Sequence, residues 1–237
     1  MNNAKHQFQL LRLLKAIVDE PALRNKLYFK GGTCAMLLGW LDRFSVDLDF
    51  DLDSQTDQQQ LKSILENMFK KLNLEIKDQS NKAIEYFLKY KAAKNERNSI
   101  NLDAVGSVYK ANKYENYYFP QLDRFIKCQT KETIFANKLV AINDRVVKGR
   151  RIAARDIYDV YYFYSHGCLY EREVITERTG TTPNKYFKQL LSLVEEKLTQ
   201  TIIYEDLNYL LSLADFKKIR LTLKEDTLLF IRQEMLK

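Results

Sequence analysis

The chain has 237 residues, 46% of them hydrophobic, and carries 38 Lys and Arg against 31 Asp and Glu, a formal charge of +7. That is enough apolar side chain for one large domain or two small ones, and it excludes a disordered or collagen-like chain. Three cysteines (Cys34, Cys128, Cys168) without a CxxC pair and two histidines (His6, His166) argue against a disulfide framework or a Cys/His zinc site.

The opening segment, MNNAKHQFQLLRLLKAIVDEP, is amphipathic, but Arg12 and Lys15 interrupt its apolar residues and no small-residue cleavage site follows. No stretch approaches the roughly 18 to 20 continuous apolar residues of a membrane span. The expectation is a cytoplasmic protein in a reducing compartment, with no membrane partner.

Phe8, Leu11, Leu14 and Val18 recur at helical spacing and Pro21 ends the pattern, which predicts a helix over residues 5–19. Leu27-Tyr28-Phe29 reads as a strand that stops at Gly31-Gly32, after which Thr33 is placed to cap a short helix through its hydroxyl. From Val46 the period becomes two: Val46, Leu48, Phe50 and Leu52 alternate with Asp47, Asp49, Asp51 and Asp53. This is a half-buried strand with one acidic face. Residues 61–72 return to helical spacing, and the segments 74–77, 84–90 and 99–105 are strand-like. The α/β part is thus expected to end near residue 110.

Beyond it the pattern is helical throughout. Phe135, Leu139, Ile142 and Val146 form one stripe, RDIYDVYYFYS forms a helix closed by Gly167, and three further helices follow over KYFKQLLSLVEEKL, YEDLNYLLSLA and KEDTLLFIRQEML. The predicted fold class is α+β, a mixed sheet flanked by helices over residues 1–110 and an all-helical bundle over 111–237. The bundle is expected to contribute to the active-site groove.

The strongest constellation is KGGTCAMLLGWLDRFSVDLDFDL. Two glycines let backbone amides approach an anion because no Cβ intervenes, and the helix that follows presents its positive end there. On a strand Asp47 and Asp49 would share a face about 6 to 7 Å apart, a spacing at which two carboxylates can share Mg²⁺, with Mn²⁺ as an alternative. A Gly-Gly before a helix is by itself an ordinary turn, and an acidic alternation is by itself an ordinary solvated face. Together they describe a phosphate cradle beside metal carboxylates. Asp51 and Asp53, further from the glycines, are expected at the surface.

The order Gly31-Gly32-Thr33, then Arg43-x-Ser45-x-Asp47-x-Asp49, resembles the AbiEii/AbiGii-type nucleotidyltransferase toxins of abortive-infection and toxin–antitoxin systems, within the DNA polymerase β-like nucleotidyltransferase superfamily. The resemblance continues downstream to about residue 165. INLDAVG looks like the strand that brings a third carboxylate, here Asp103. ANKLVAINDR looks like the family's lysine helix, here Lys138, and ARDIYDVYYF like its Arg-Asp-x-x-Asp helix, here Arg155, Asp156 and Asp159.

The resemblance implies that the mixed sheet is nucleotidyltransferase-like and carries a metal set of Asp47, Asp49 and Asp103, to which Lys138 and Asp156 add catalytic roles. It implies nucleotide contacts from Gly31, Gly32, Thr33, Arg43, Ser45, Lys138, Arg155 and Asp159. The residues themselves leave other readings open. Asp103 could be a surface aspartate, and Arg155 and Asp159 have the i,i+4 spacing of an ordinary ion pair. Lys138 and Arg145 share a helical face that could meet triphosphate or RNA or simply be solvated, the reading preferred for Arg145. Asp156 has no obvious partner. Tyr158, Tyr161, Tyr162 and Tyr164 read as packing, His166 as a helix end, and Cys34 as core.

The implied activity is Mg²⁺-dependent transfer of a nucleoside monophosphate from an NTP to the 3′ end of RNA, with tRNA as the acceptor and a block of translation as the effect. A cognate antitoxin is a further implied partner, and recognition of a DNA sequence is not predicted. The alternatives are a protein-AMPylating or small-molecule nucleotidyltransferase and, from another class, a catalytically silent nucleotide- or RNA-binding module. Charge supports RNA: residues 124–155 hold nine basic and two acidic side chains, and residues 42–57 hold six acidic and one basic. A basic stripe facing an acidic metal strand across one groove is the arrangement expected of phosphates held between them.

Overall fold

The structure, a computed structural model, describes residues 4–53, 57–94, 96–105, 108–149 and 151–237. The chain divides into two compact units. One comprises Met1–Gly39, Ser45–Val108 and Tyr114–Gln129, the other Trp40–Phe44, Tyr109–Lys113 and Thr130–Lys237.

Among the described residues, the first unit is built on a seven-stranded mixed sheet. Its strands are β1 (Leu27–Lys30), β2 (Leu48–Leu52), β3 (Glu75–Gln79), β4 (Ile84–Lys89), β5 (Ser99–Val105), β6 (Tyr114–Phe119) and β7 (Arg124–Gln129), in the order β3-β4-β5-β2-β1-β7-β6. Its helices are α1 (Ala4–Asp19), α2 (Pro21–Arg24), α3 (Gly31–Leu37) and α4 (Gln58–Lys71). The sheet does not end near residue 110, because β6 and β7 extend it. That hairpin escapes a reading by alternation because β6 is an edge strand on which only Phe119 is buried, so no apolar face shows in its sequence.

Side-chain alternation divides the sheet into two chemically different faces. Leu27, Phe29, Leu48, Phe50, Leu52, Ile84, Tyr86, Leu88, Ile100, Leu102 and Ala104 make a continuous buried face. The stripe of α1 (Leu10, Leu13, Leu14, Ile17) and that of α4 (Leu61, Leu65, Phe69) are buried with it, and the Phe69 ring meets Tyr86 edge-on at 5.0 Å. The other face carries Lys30, Asp49, Asp103 and Glu85 in one row across four strands. A one-residue slip of β2 would send those carboxylates into the core, so the apolar face fixes the register of the polar one.

The second unit is helical: α5 (Lys131–Val147), α6 (Ala154–Ser165), α7 (Arg172–Thr179), α8 (Pro183–Lys197), α9 (Gln200–Leu207) and α10 (Leu213–Glu234). Thr130, Thr182, Thr199 and Ser212 cap α5, α8, α9 and α10 through their hydroxyls. Its core is aromatic, with Phe135 stacked on Phe163 at 5.2 Å and Phe187 and Phe230 packed edge to face at 6.0 Å. The segment YEDLNYLLSLA is not one helix: α9 stops at Leu207 and Ser212 starts α10 anew. Among the described residues no helix is long and apolar enough to cross a membrane.

Candidate active site

β1 turns into α3 at Gly31, whose φ of +80° is the left-handed conformation that glycine adopts without strain. A Cβ on Gly31 would stand 3.1 Å from both Cβ and Cγ of Asp49 and closer still to its Oδ2. The turn therefore brings bare backbone against the Asp49 carboxylate. Thr33 does not cap α3; the cap position is Lys30, which makes no side-chain cap bond. Thr33 lies inside the helix, fully buried, and its hydroxyl hydrogen-bonds the Asp47 carbonyl at 2.5 Å and Ser45 Oγ at 3.0 Å. Ser45 and Thr33 thus hold the backbone that delivers Asp47.

Asp47 itself precedes β2, which begins at Leu48, so the even spacing expected of Asp47 and Asp49 on one strand is not what relates them. Asp49 is instead aligned with Asp103 across the parallel pair β2–β5, and with Lys30 across the antiparallel pair β1–β2. Cross-strand neighbours on one face stand about 5 Å apart, so the two carboxylates share one small volume. Both are half-buried. Asn101, two residues before Asp103 on the same face, has a buried Oδ1 with no hydrogen-bond partner among the described residues.

Asp51 is not at the surface. It is 2% exposed, and Lys30 Nζ at 2.7 Å, Tyr114 Oη at 2.6 Å and Gln129 Nε2 at 2.6 Å all donate to it. Lys30 is consequently fixed in the row beside Asp49. Asp53, half-buried, accepts from the Tyr28 hydroxyl at 2.9 Å. His6 of α1 is 2% exposed, and its Nε2–H donates to the Val46 carbonyl at 3.0 Å, one residue before Asp47.

In the second unit, Asp159 is completely buried, and among the described residues it pairs with Arg43 and Lys138 in place of the i,i+4 Arg155. Arg43 Nε and Nη2 donate to its two oxygens at 2.5 and 2.7 Å, and Lys138 Nζ lies 2.9 Å away. Burial works to raise the Asp159 pKa, but the two cations hold it below its ordinary value. Arg43 and Asp159, implied nucleotide contacts, are turned upon each other, whereas the Lys138 side chain keeps 15% of its surface. Asp156 does have a partner: Arg145 donates to it at 2.9 Å from two turns beyond Lys138 on α5. Arg145 is thus ion-paired rather than merely solvated. Asp42 takes the hydroxyl of the buried Tyr158 at 2.6 Å. Arg155 is half-buried.

The model of the AbiEii family, described as nucleotidyl transferase AbiEii toxin of a type IV toxin–antitoxin system, matches residues 12–229. The chain belongs to the AbiEii nucleotidyl transferase toxin family. Two solved structures share the fold. JHP933 from Helicobacter pylori is 20% identical with a TM-score of 0.59, covering 98% of this chain and 93% of that one. MenT4, a nucleotidyltransferase toxin from Mycobacterium tuberculosis H37Rv, is 18% identical with a TM-score of 0.56, covering 95% and 81%. No curated protein matches the sequence.

As an AbiEii nucleotidyltransferase the chain implies an NTP and a divalent cation. The donor set suits a hard ion: Asp49 and Asp103 offer oxygens side by side, and Asn101 offers an orphaned one on the same face. Among the described residues no group of three or more His, Cys, Asp or Glu side chains forms a metal cluster. Two neighbouring carboxylates suit Mg²⁺, which takes oxygen ligands and completes its shell with phosphate oxygens, and Asp47 lies one residue before the strand that carries Asp49. The residues missed by sequence reading here are Lys30, Tyr114 and Gln129. Lys30 stands directly before Gly31-Gly32, but only the pairing of β1 with β2 and β7 reveals what it and Gln129 hold.

Proposed function

We propose that this AbiEii-family enzyme transfers a nucleoside monophosphate from an NTP to a hydroxyl at the 3′ end of an RNA, with tRNA as the acceptor class, and thereby blocks translation. The observation that carries this reading is the alignment of Asp49 with Asp103 beside the side-chain-free turn at Gly31.

The acceptor oxygen attacks the α-phosphorus, the bond from that phosphorus to the oxygen bridging to the β-phosphate breaks, and pyrophosphate leaves. Asp103 receives the hydroxyl proton, with Glu85 beside it on β4. Asp49 and Asp103 would hold the divalent cation, which when bound stabilises charge on the attacking and leaving oxygens. Asp47 follows the backbone that Thr33 pins, and its carboxylate is available to the same substrate phosphates' cation. The amides of Gly31 and Gly32 contact phosphate, and Lys30, fixed by Asp51, adds positive charge beside Asp49. In the second unit, Lys138 and Arg145 are anion contacts presented by the buried carboxylates of Asp159 and Asp156. A cognate antitoxin is the regulatory partner.

The test is incubation of the protein with each α-labelled NTP, total tRNA and Mg²⁺, or with EDTA in its place. Label is expected in RNA, from one or a few NTPs, and only with Mg²⁺. Label in protein or in a small molecule would replace the RNA acceptor by one of the alternatives.

A further inference from the structure

The polar face of the sheet continues beyond the carboxylates. Because Phe29 aligns with Cys128 in the parallel pair β1–β7, Lys30 and Tyr28 share their face with Gln129, Lys127 and Phe125 of β7. The antiparallel pair β6–β7 adds Tyr114, Asn116 and Tyr118. Four contacts fix this face: Gln129 and Tyr114 both reach Asp51, Lys127 Nζ lies 4.4 Å over the Tyr28 ring, and the Tyr28 and Tyr114 rings are 4.9 Å apart.

At the far end, Phe125 and Tyr118 stand ring to ring at 5.3 Å. Phe125 is 68% exposed and Tyr118 46% exposed, and the Tyr118 hydroxyl is tied to Asp123 at 2.8 Å, which holds that ring in place. From Gln129 to Phe125 is four residues, about 13 Å along the strand, the reach of a few unpaired nucleotides.

We propose that this strip is the binding track for the unpaired end of the RNA acceptor, with bases stacking on Phe125 and Tyr118 and a phosphate meeting Lys127. Lys127 and Asn116 stand beside the exposed rings on the same face, and Gln129, buried against Asp51, closes the strip at its inner end. Flat π-faces interleaved with a cation suit bases and phosphates and suit an apolar protein partner poorly. The track is also continuous, on one face, with the Asp49–Asp103 row, so a strand lying on it points its end at the carboxylates. The direction of the strand rests on the nucleotidyl-transfer reading; the binding does not.

The experiment measures two quantities on the full chain: fluorescence anisotropy of a short labelled single-stranded RNA without NTP, and label transfer from NTP to RNA. Phe125→Ala and Tyr118→Ala are each expected to weaken RNA binding roughly tenfold and more together, with Phe125→Tyr restoring it and thermal unfolding unchanged. Asp49→Asn is expected to keep RNA binding. The platform is overturned if both alanine variants bind the RNA as wild type does, or if transfer to RNA proceeds undiminished in them. Ring-dependent RNA binding without any transfer would uphold the platform and refute the transfer reading instead.

Discussion

Gly31 and Asp49 are in such contact that no other residue fits at position 31: its Cβ would press on the Asp49 side chain, and its backbone would be held at a φ of +80°. Gly31→Ala must therefore turn the Asp49 carboxylate away or open the β1–α3 corner. The expected result is a loss of transfer rate of at least tenfold, together with a stability loss of about 1 to 2 kcal/mol from the left-handed backbone alone. Steady-state kinetics beside urea unfolding check this, and an alanine variant with wild-type turnover would mean that Asp49 does not act from its present position.

Asp51 is the anchor of the row. Its removal as Asp51→Ala takes away the acceptor that Lys30, Tyr114 and Gln129 share, and breaking a buried ion pair of this kind costs about 3 to 5 kcal/mol. Asp51→Asn, which keeps the acceptor oxygen but not the charge, is expected to lose less. Equilibrium unfolding of the two variants should rank wild type above Asn above Ala.

Thr33 acts through Asp47. Thr33→Ser keeps the hydroxyl that bonds the Asp47 carbonyl and is expected to retain most activity, whereas Thr33→Val, nearly the same size, leaves that carbonyl unpaired at a cost of about 1 to 3 kcal/mol. Activity should fall further than stability in the valine variant, measured as turnover at a temperature where both variants are folded.

The legible and illegible parts of this protein divide by the range of the interactions involved. Helix α1, strand β1 and the glycine turn are written in local periodicity and were readable as such, and the DxD run named its strand to within two residues. Asp103 could be joined to Asp49 only on the supposition that two strands were neighbours, which the β2–β5 pairing supplies. The partners of Asp51, Asp156 and Asp159 come from 11 to 116 residues away in sequence, as Arg145 and Arg43 show, and no local pattern announces them. The same distance effect applies to the basic stripe. Arg124, Lys138, Arg145 and Arg151 within it are held by Asp19, Asp159, Asp156 and the pair Glu205 and Asp206, respectively, and Lys138 and Arg145 keep part of their surface.

Stability should fall on the acid side in two steps. His6 titrates below its ordinary 6.5 because burial disfavours its charged form, so the unfolded chain takes up a proton first and stability declines as pH drops below about 6.5. Asp159 titrates below its ordinary 3.8, so the stability it gives is whole above about pH 4 and is lost as pH falls through its lower folded value. Unfolding free energy against pH should lose the first limb in His6→Gln. The second should flatten in Asp159→Asn, which also lowers stability at neutral pH by exposing Arg43 and Lys138 to each other.

The most direct measurement is the rate of label transfer from α-labelled NTP to RNA by Asp49→Asn, with Mg²⁺ present and the variant shown to be folded. The carboxylate that holds the cation contributes several kcal/mol to the transfer, so the rate is expected to fall by roughly a hundredfold or more while RNA binding is kept. Labelling of RNA by Asp49→Asn at the wild-type rate would contradict the account.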